Sequence, residues 1–123
     1  MRNRPLVSVV DDDESVRESL PDLLREFGLA VETFASAEEF LASGKITDTR
    51  VLILDIAMPG MSGPDLQREL KLQRHEVPII FITAHADQSM RPRLFKEGAV
   101  AFLLKPFSDT ALREAVDIAL AMR

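Results

Sequence analysis

Several short apolar runs in this chain end on residues that can do chemistry. Val9-Val10 leads into Asp11-Asp12-Asp13, Ile53-Leu54 into Asp55, Phe81-Ile82 into Thr83-Ala84, and Leu103-Leu104 into Lys105-Pro106. If these runs are strands of one parallel sheet, their ends meet at one edge, where such sheets bind ligands. A group of carboxylates, a hydroxyl and an ammonium would then share a small cleft. Each position alone has a plainer explanation, because an Asp after a strand often only caps the next helix. Asp13 suits that task, with Glu14 favoured in the first turn by the helix dipole. Asp11 and Asp12 cannot both cap, however, and Asp55 is followed by Ile56 with no helix starting there.

Carboxylates packed together repel, and burial raises their pKa values further, so cations must be supplied. Lys105 supplies one. A hard divalent ion, Mg²⁺ or Mn²⁺, is the natural second, since the donors are oxygens and neither Cys nor a suitable His pair is at hand. Asp12 and Asp55 would give carboxylate oxygens and Ala57 a backbone carbonyl, with Asp11 acting directly or through water. Such an ion keeps Asp55 ionised and offsets the charge of an incoming phosphoryl group. Phosphoryl transfer needs mainly in-line positioning and charge stabilisation. Thr83 and Lys105 can donate to the remaining phosphoryl oxygens, and Ala84 is small enough to leave room.

The elements that would position these residues alternate. Leu6–Val10, Val51–Leu54, Ile79–Ile82 and Ala101–Leu104 are apolar runs too short for helices, expected as strands buried on both faces. Ala30–Phe34 alternates, as a strand nearer an edge does. Val16, Leu20, Leu24 and Phe27 follow helical spacing, with Gly28 as the stop. Ser36 and Glu39 read as a capping box for a short helix through Leu41. Asp65–Arg74, with Leu66, Leu70 and Leu72 inward, Met90–Glu97, and a stripe of Leu112, Ala115, Val116, Ala119 and Leu120 complete the set. The order βαβαβαβαβα predicts a parallel α/β sheet with helices on both faces.

Composition bounds the rest. The 123 residues make one ordinary domain, taken as 1–123, with 46% hydrophobic and 28% charged residues. A net charge of −5 argues against direct nucleic-acid binding. No apolar run approaches a bilayer span, and no signal peptide is expected. The absence of cysteine fits the cytoplasm.

The blocks Val9–Asp13, Leu54-Asp55-Ile56-Ala57-Met58-Pro59-Gly60-Met61-Ser62-Gly63, Ile82-Thr83-Ala84 and Leu104-Lys105-Pro106-Phe107 resemble the receiver domain of two-component response regulators, most closely the FixJ subfamily. The likeness runs from about Leu6 to the last helix, and the blocks together are far more specific than any one. It implies a five-stranded, doubly wound, flavodoxin/CheY-like sheet of order 2-1-3-4-5. It also implies transfer of a phosphoryl group from a sensor histidine kinase to Asp55, with Asp11 and Asp12 in the metal pocket. Thr83 would match the family's switch hydroxyl, Lys105 its lysine and Phe102 its aromatic switch position. By composition alone Phe102 is equally well a plain core residue. Further implications are a homodimer on phosphorylation through the helix 4–strand 5–helix 5 face and a DNA-binding output domain beyond Arg123. Slow self-dephosphorylation is expected, without the turnover of a conventional enzyme.

Rival readings are weaker. A haloacid-dehalogenase-type phosphatase needs a second acid two residues after its nucleophile, where this chain has Ala57. No G-x-x-x-x-G-K-[ST] or G-x-G-x-x-G occurs, and Gly60 and Gly63 suit turns behind Asp55. His75 belongs to a helix end, and His85 lies near the site. The remaining alternative is a receiver-like module that binds proteins without being phosphorylated. Two prolines carry local expectations. Pro92 must sit in a first turn, so helix 4 should begin around Ser89 to Arg91, and Pro21 should kink or displace helix 1.

Overall fold

The computed structural model describes residues 4–84 and 89–122. Strands β1 (Leu6–Val10), β2 (Ala30–Phe34), β3 (Thr49–Asp55), β4 (Ile79–Thr83) and β5 (Ala99–Leu104) alternate with helices α1 (Glu14–Glu26), α2 (Ala37–Ala42), α3 (Gly63–Leu72), α4 (Arg91–Lys96) and α5 (Asp109–Ala121). The strands form one sheet of order β2-β1-β3-β4-β5, and every pairing is parallel.

Strand parity explains the continuous apolar runs. Val7 and Val9, Val51 and Ile53, and Ile80 and Ile82 face a core shared with Leu20 and Leu24 of α1 and Leu112 and Val116 of α5. The alternate residues, Val10, Leu52, Leu54 and Phe81, face the other core with Phe40 of α2, Leu66 and Leu70 of α3 and Leu94 of α4. Successive side chains point to opposite faces, so a strand covered on both sides must be apolar throughout. β5 departs from that expectation. It is an edge of the sheet, with Ala101 and Leu103 only half-buried and Leu104 exposed, because no strand flanks its outer side and a short helix covers one face.

Local chemistry sets the helix ends. Asp13 caps α1 by accepting from Ser15 N, and α1 closes at Gly28 (φ +87°). There Leu29 N donates to Leu24 O and Gly28 N to Arg25 O, satisfying two end carbonyls. Pro21 does not displace the start: α1 is continuous from Glu14 and Pro21 is buried within it. Ser36 accepts from Glu39 N at α2, and Ser108 from Ala111 N at α5. α3 runs two residues earlier than its hydrophobic pattern suggests. Ser62 and Asp65 form a reciprocal capping box, which starts the helix at Gly63. It ends at Leu72, which is exposed rather than inward, and Arg74 lies beyond it with φ +62°. α4 begins at Arg91 with Pro92 in its first turn, as the missing N–H requires.

Candidate functional site

Backbone hydrogen bonds at the carboxyl edge hold the site residues in register. Asp11 N donates to Phe34 O (3.1 Å), Ile56 N to Ile82 O (3.1 Å) and Lys105 N to Thr83 O (2.7 Å). Asp11 follows β1, Asp55 ends β3, Thr83 ends β4 and Lys105 follows β5, so pairing of the strands brings these positions side by side. Parity then divides them. Asp55 lies on the side of Val51 and Ile53, facing α1 and α5, whereas Thr83 and Phe102 lie on the side of Phe81, facing α4.

Carboxylate oxygens of Asp11, Asp12 and Asp55 all lie within 4.8 Å of one another, with Asp11 and Asp55 buried and Asp12 exposed. The Lys105 ammonium donates to Asp11 Oδ2 at 2.8 Å and stands 3.7 Å from Asp55 Oδ1. Burial, then the negative charge of Asp11, push the Asp55 carboxyl up to about 7, against the pull of Lys105. Burial works against the Lys105 ammonium, but its hydrogen bond to Asp11 and the charges of Asp55, Asp11 and Asp13 outweigh that and raise its pKa. Asp13 is held below the ordinary carboxylate range by its hydrogen bonds from Ser15, as befits a cap rather than a ligand. The three clustered oxygens could hold a hard cation, and the raised Asp55 is the signature of a carboxylate short of positive charge.

Around this centre, Ala57 is exposed two residues beyond Asp55. Gly63 N donates to Ile56 O (2.9 Å), and a Cβ on Gly63 would fall on the Asp55 carbonyl oxygen. Only glycine lets α3 start so close behind Asp55. Phe102 is buried, and the Arg91 guanidinium carbon lies 5.6 Å from its ring centre and 5.5 Å from that of Phe95. The Lys105–Pro106 peptide is cis. A cleft of about 760 Å³ opens beside Lys105, lined among others by Leu20, Leu23, Pro106 and Phe107. His75 lines a separate cleft with Val77 and Gly98, and His85 lies outside the described residues.

Two contacts were not foreseen from the residues. Arg17 Nη1 donates to the Asp11 carbonyl at 2.9 Å, and Glu38 Oε2 accepts from Met61 N at 3.0 Å in the loop after β3. Arg17 did leave a trace in the sequence: a cation in a helix's first turn opposes the dipole. Glu38 left none, because an acid in the first turn of α2 is ordinary.

Known proteins resemble this chain in sequence and fold. The family model described as "Response regulator receiver domain" matches residues 7–117. Nodulation protein W of Bradyrhizobium diazoefficiens is 49% identical over 113 residues, covering 92% of this chain and 50% of that protein. Transcriptional regulatory protein FixJ of Rhizobium meliloti is 44% identical over 111 residues, covering 90% of this chain and 54% of that protein. The crystal structure of FixJ-N superposes with a TM-score of 0.87 at 42% identity, covering 100% of this chain and 98% of that one. The chain thus spans about half the length of the curated relatives it matches. With the family model covering nearly all of the sheet and its helices, the chain belongs to the receiver domains of two-component response regulators.

Proposed function

We propose that Asp55 accepts a phosphoryl group from the phosphohistidine of a sensor histidine kinase. One Asp55 oxygen forms the new O–P bond as the N–P bond to the donor imidazole breaks, and the imidazole leaves with the electron pair and takes a proton. The observation that carries this reading is the crowding of Asp55 with Asp11, Asp12 and Lys105 at a strand end, with its carboxyl driven up to about 7. Asp11, Asp12 and Asp55, with the Ala57 carbonyl, would hold Mg²⁺ (or Mn²⁺). When bound, that ion supplies positive charge that ionises Asp55 and balances the phosphoryl oxygens.

The chain's own residues do the remainder. Lys105, within reach of both Asp11 and Asp55, turns its ammonium to a phosphoryl oxygen, and the Thr83 hydroxyl donates to another. Thr83 pairs with Leu104 and Phe102 with Phe81 across β4–β5, so Thr83 and Phe102 share one face of the sheet two residues out of register. A shift of Thr83 would free or fill space for the ring and bias the α4–β5–α5 face. Exposed Phe95 and Leu104 on that face suit pairing of two phosphorylated copies. The transcriptional role named for FixJ would belong to a longer protein that contains this chain, acting in the cytoplasm. Among the described residues no helix is long and apolar enough to cross a membrane.

Incubation with acetyl phosphate and Mg²⁺, followed by intact mass, tests the reading. One phosphoryl adduct is expected on the native chain and none on Asp55→Asn. A native chain that stays unmodified would instead favour a binding module independent of phosphorylation.

A further inference from the structure

Asp11 uses all four of its polar groups. Its N–H meets Phe34 O (3.1 Å), Oδ1 accepts from Asp13 N (2.9 Å), Oδ2 from Lys105 Nζ (2.8 Å), and its carbonyl from Arg17 Nη1 (2.9 Å). Among the described residues nothing else donates to the carbonyl. The sheet registers end at Val10, and the N–H groups of Ser15, Val16 and Arg17 at the start of α1 go to Asp13. Asp12 is the opposite case: it is exposed, and among the described residues nothing donates to its carboxylate. The aim of Asp12 therefore depends on the plane of the Asp11–Asp12 peptide, whose oxygen Arg17 holds.

We infer that Arg17 is a positioning residue for the cation site, acting through the Asp11–Asp12 peptide to direct the Asp12 carboxylate at the position it shares with Asp11 and Asp55. This rests on the triad being the cation pocket of the phosphoacceptor. A plainer account would make Arg17 the partner of Asp13 one turn back. No ion pair between them forms, and Arg17 is the smallest of the influences on Asp13, while the hydrogen bond to Asp11 is short. The placement also runs against the helix dipole, which an arginine kept only for α1 would not do.

Two effects of Arg17 on a divalent ion oppose each other. Its charge repels the ion, but it is half-buried beside solvent and screened. Its hydrogen bond orients a ligand, and loss of such a supporting contact typically weakens metal affinity about 10- to 100-fold. Orientation wins.

The test is calorimetric titration of Mg²⁺ into the native chain, Arg17→Met and Arg17→Lys, since the chain has no Trp or Tyr to report binding. Urea midpoints are measured alongside in EDTA and in saturating Mg²⁺. Arg17→Met is expected to bind about tenfold more weakly, with Arg17→Lys, which keeps a charge and a donor, in between. The gap between the two urea midpoints should shrink in Arg17→Met. Binding by Arg17→Met as tight as native or tighter overturns the inference, as does an equal fall of both midpoints with the gap intact. If the native chain itself takes up no Mg²⁺, the phosphoacceptor reading fails first and this inference with it.

Discussion

The Lys105 ammonium is hydrogen-bonded to Asp11, at 2.8 Å, and makes only a longer ion pair with Asp55, at 3.7 Å. Asp11 is fully buried, so Lys105 is the side-chain cation that makes its charge tolerable within the described residues. A phosphoryl group on Asp55 would compete for that ammonium, and Asp11 would need the metal in exchange.

Replacing Lys105 by Met should therefore weaken the metal-free fold as well as the chemistry. Breaking a buried ion pair from one side costs several kcal/mol. Lys105 is partly exposed, so about 1–3 kcal/mol is expected after screening. Urea unfolding in EDTA at pH 7.5 measures it, and an unchanged midpoint would contradict the role given to this pair.

Asp55 should make the metal-free protein less stable as pH rises. Its folded pKa, about 7, lies above the ordinary 3.8, so between those values the folded chain holds a proton that the unfolded chain has lost. The unfolding free energy must then fall as pH climbs through that window and level off above about 7. Asp55→Asn removes the slope. In EDTA the variant should exceed the native chain by on the order of 2 kcal/mol at pH 8, with the difference shrinking toward pH 4. Parallel stability curves for the two proteins would rule this out.

Gly63→Ala should displace Asp55 from behind. The added methyl meets the Asp55 carbonyl oxygen, which is backbone and cannot swing aside. A loss of about 1–3 kcal/mol is expected from overpacking, despite the better helix propensity of Ala. Slower labelling by acetyl phosphate should accompany it; a variant matching the native chain in both respects would show that α3 can yield.

Ala57 should lengthen the life of the acyl phosphate. It is exposed two residues after Asp55 and has no group to orient an attacking water. Ala57→Asn is expected to shorten the half-life by about 10-fold or less, a loss of barrier near 1 kcal/mol. Mass-monitored decay after removal of the donor reads it directly, and equal half-lives would remove Ala57 from the account.

The elements were legible in the chain because short apolar runs alternate with helical spacing, and because Asp13, Gly28 and Pro92 mark helix ends by local chemistry. The candidate-site residues were legible for a related reason: Asp11, Asp12, Asp55, Thr83 and Lys105 all stand at strand ends, and for Asp11, Asp55 and Thr83 burial leaves few structural reasons for a polar group. β5 and Leu72 were misjudged because hydrophobicity records what a residue is, not whether a neighbour covers it.

By itself, the sequence determined which strands and helices form, and which side chains are candidates to accept a phosphoryl group and hold a cation. Tertiary structure alone decided who meets whom. The strand order that places β5 beside β4 sets Lys105 on Asp11 across 94 residues of chain. The packing of α1 turns Arg17 onto the Asp11 carbonyl, and the approach of α3 reserves Gly63 for the space behind Asp55. Periodicity is written along one dimension, whereas a site is a set of distances between segments, and those exist only once the two cores on either side of the sheet have closed.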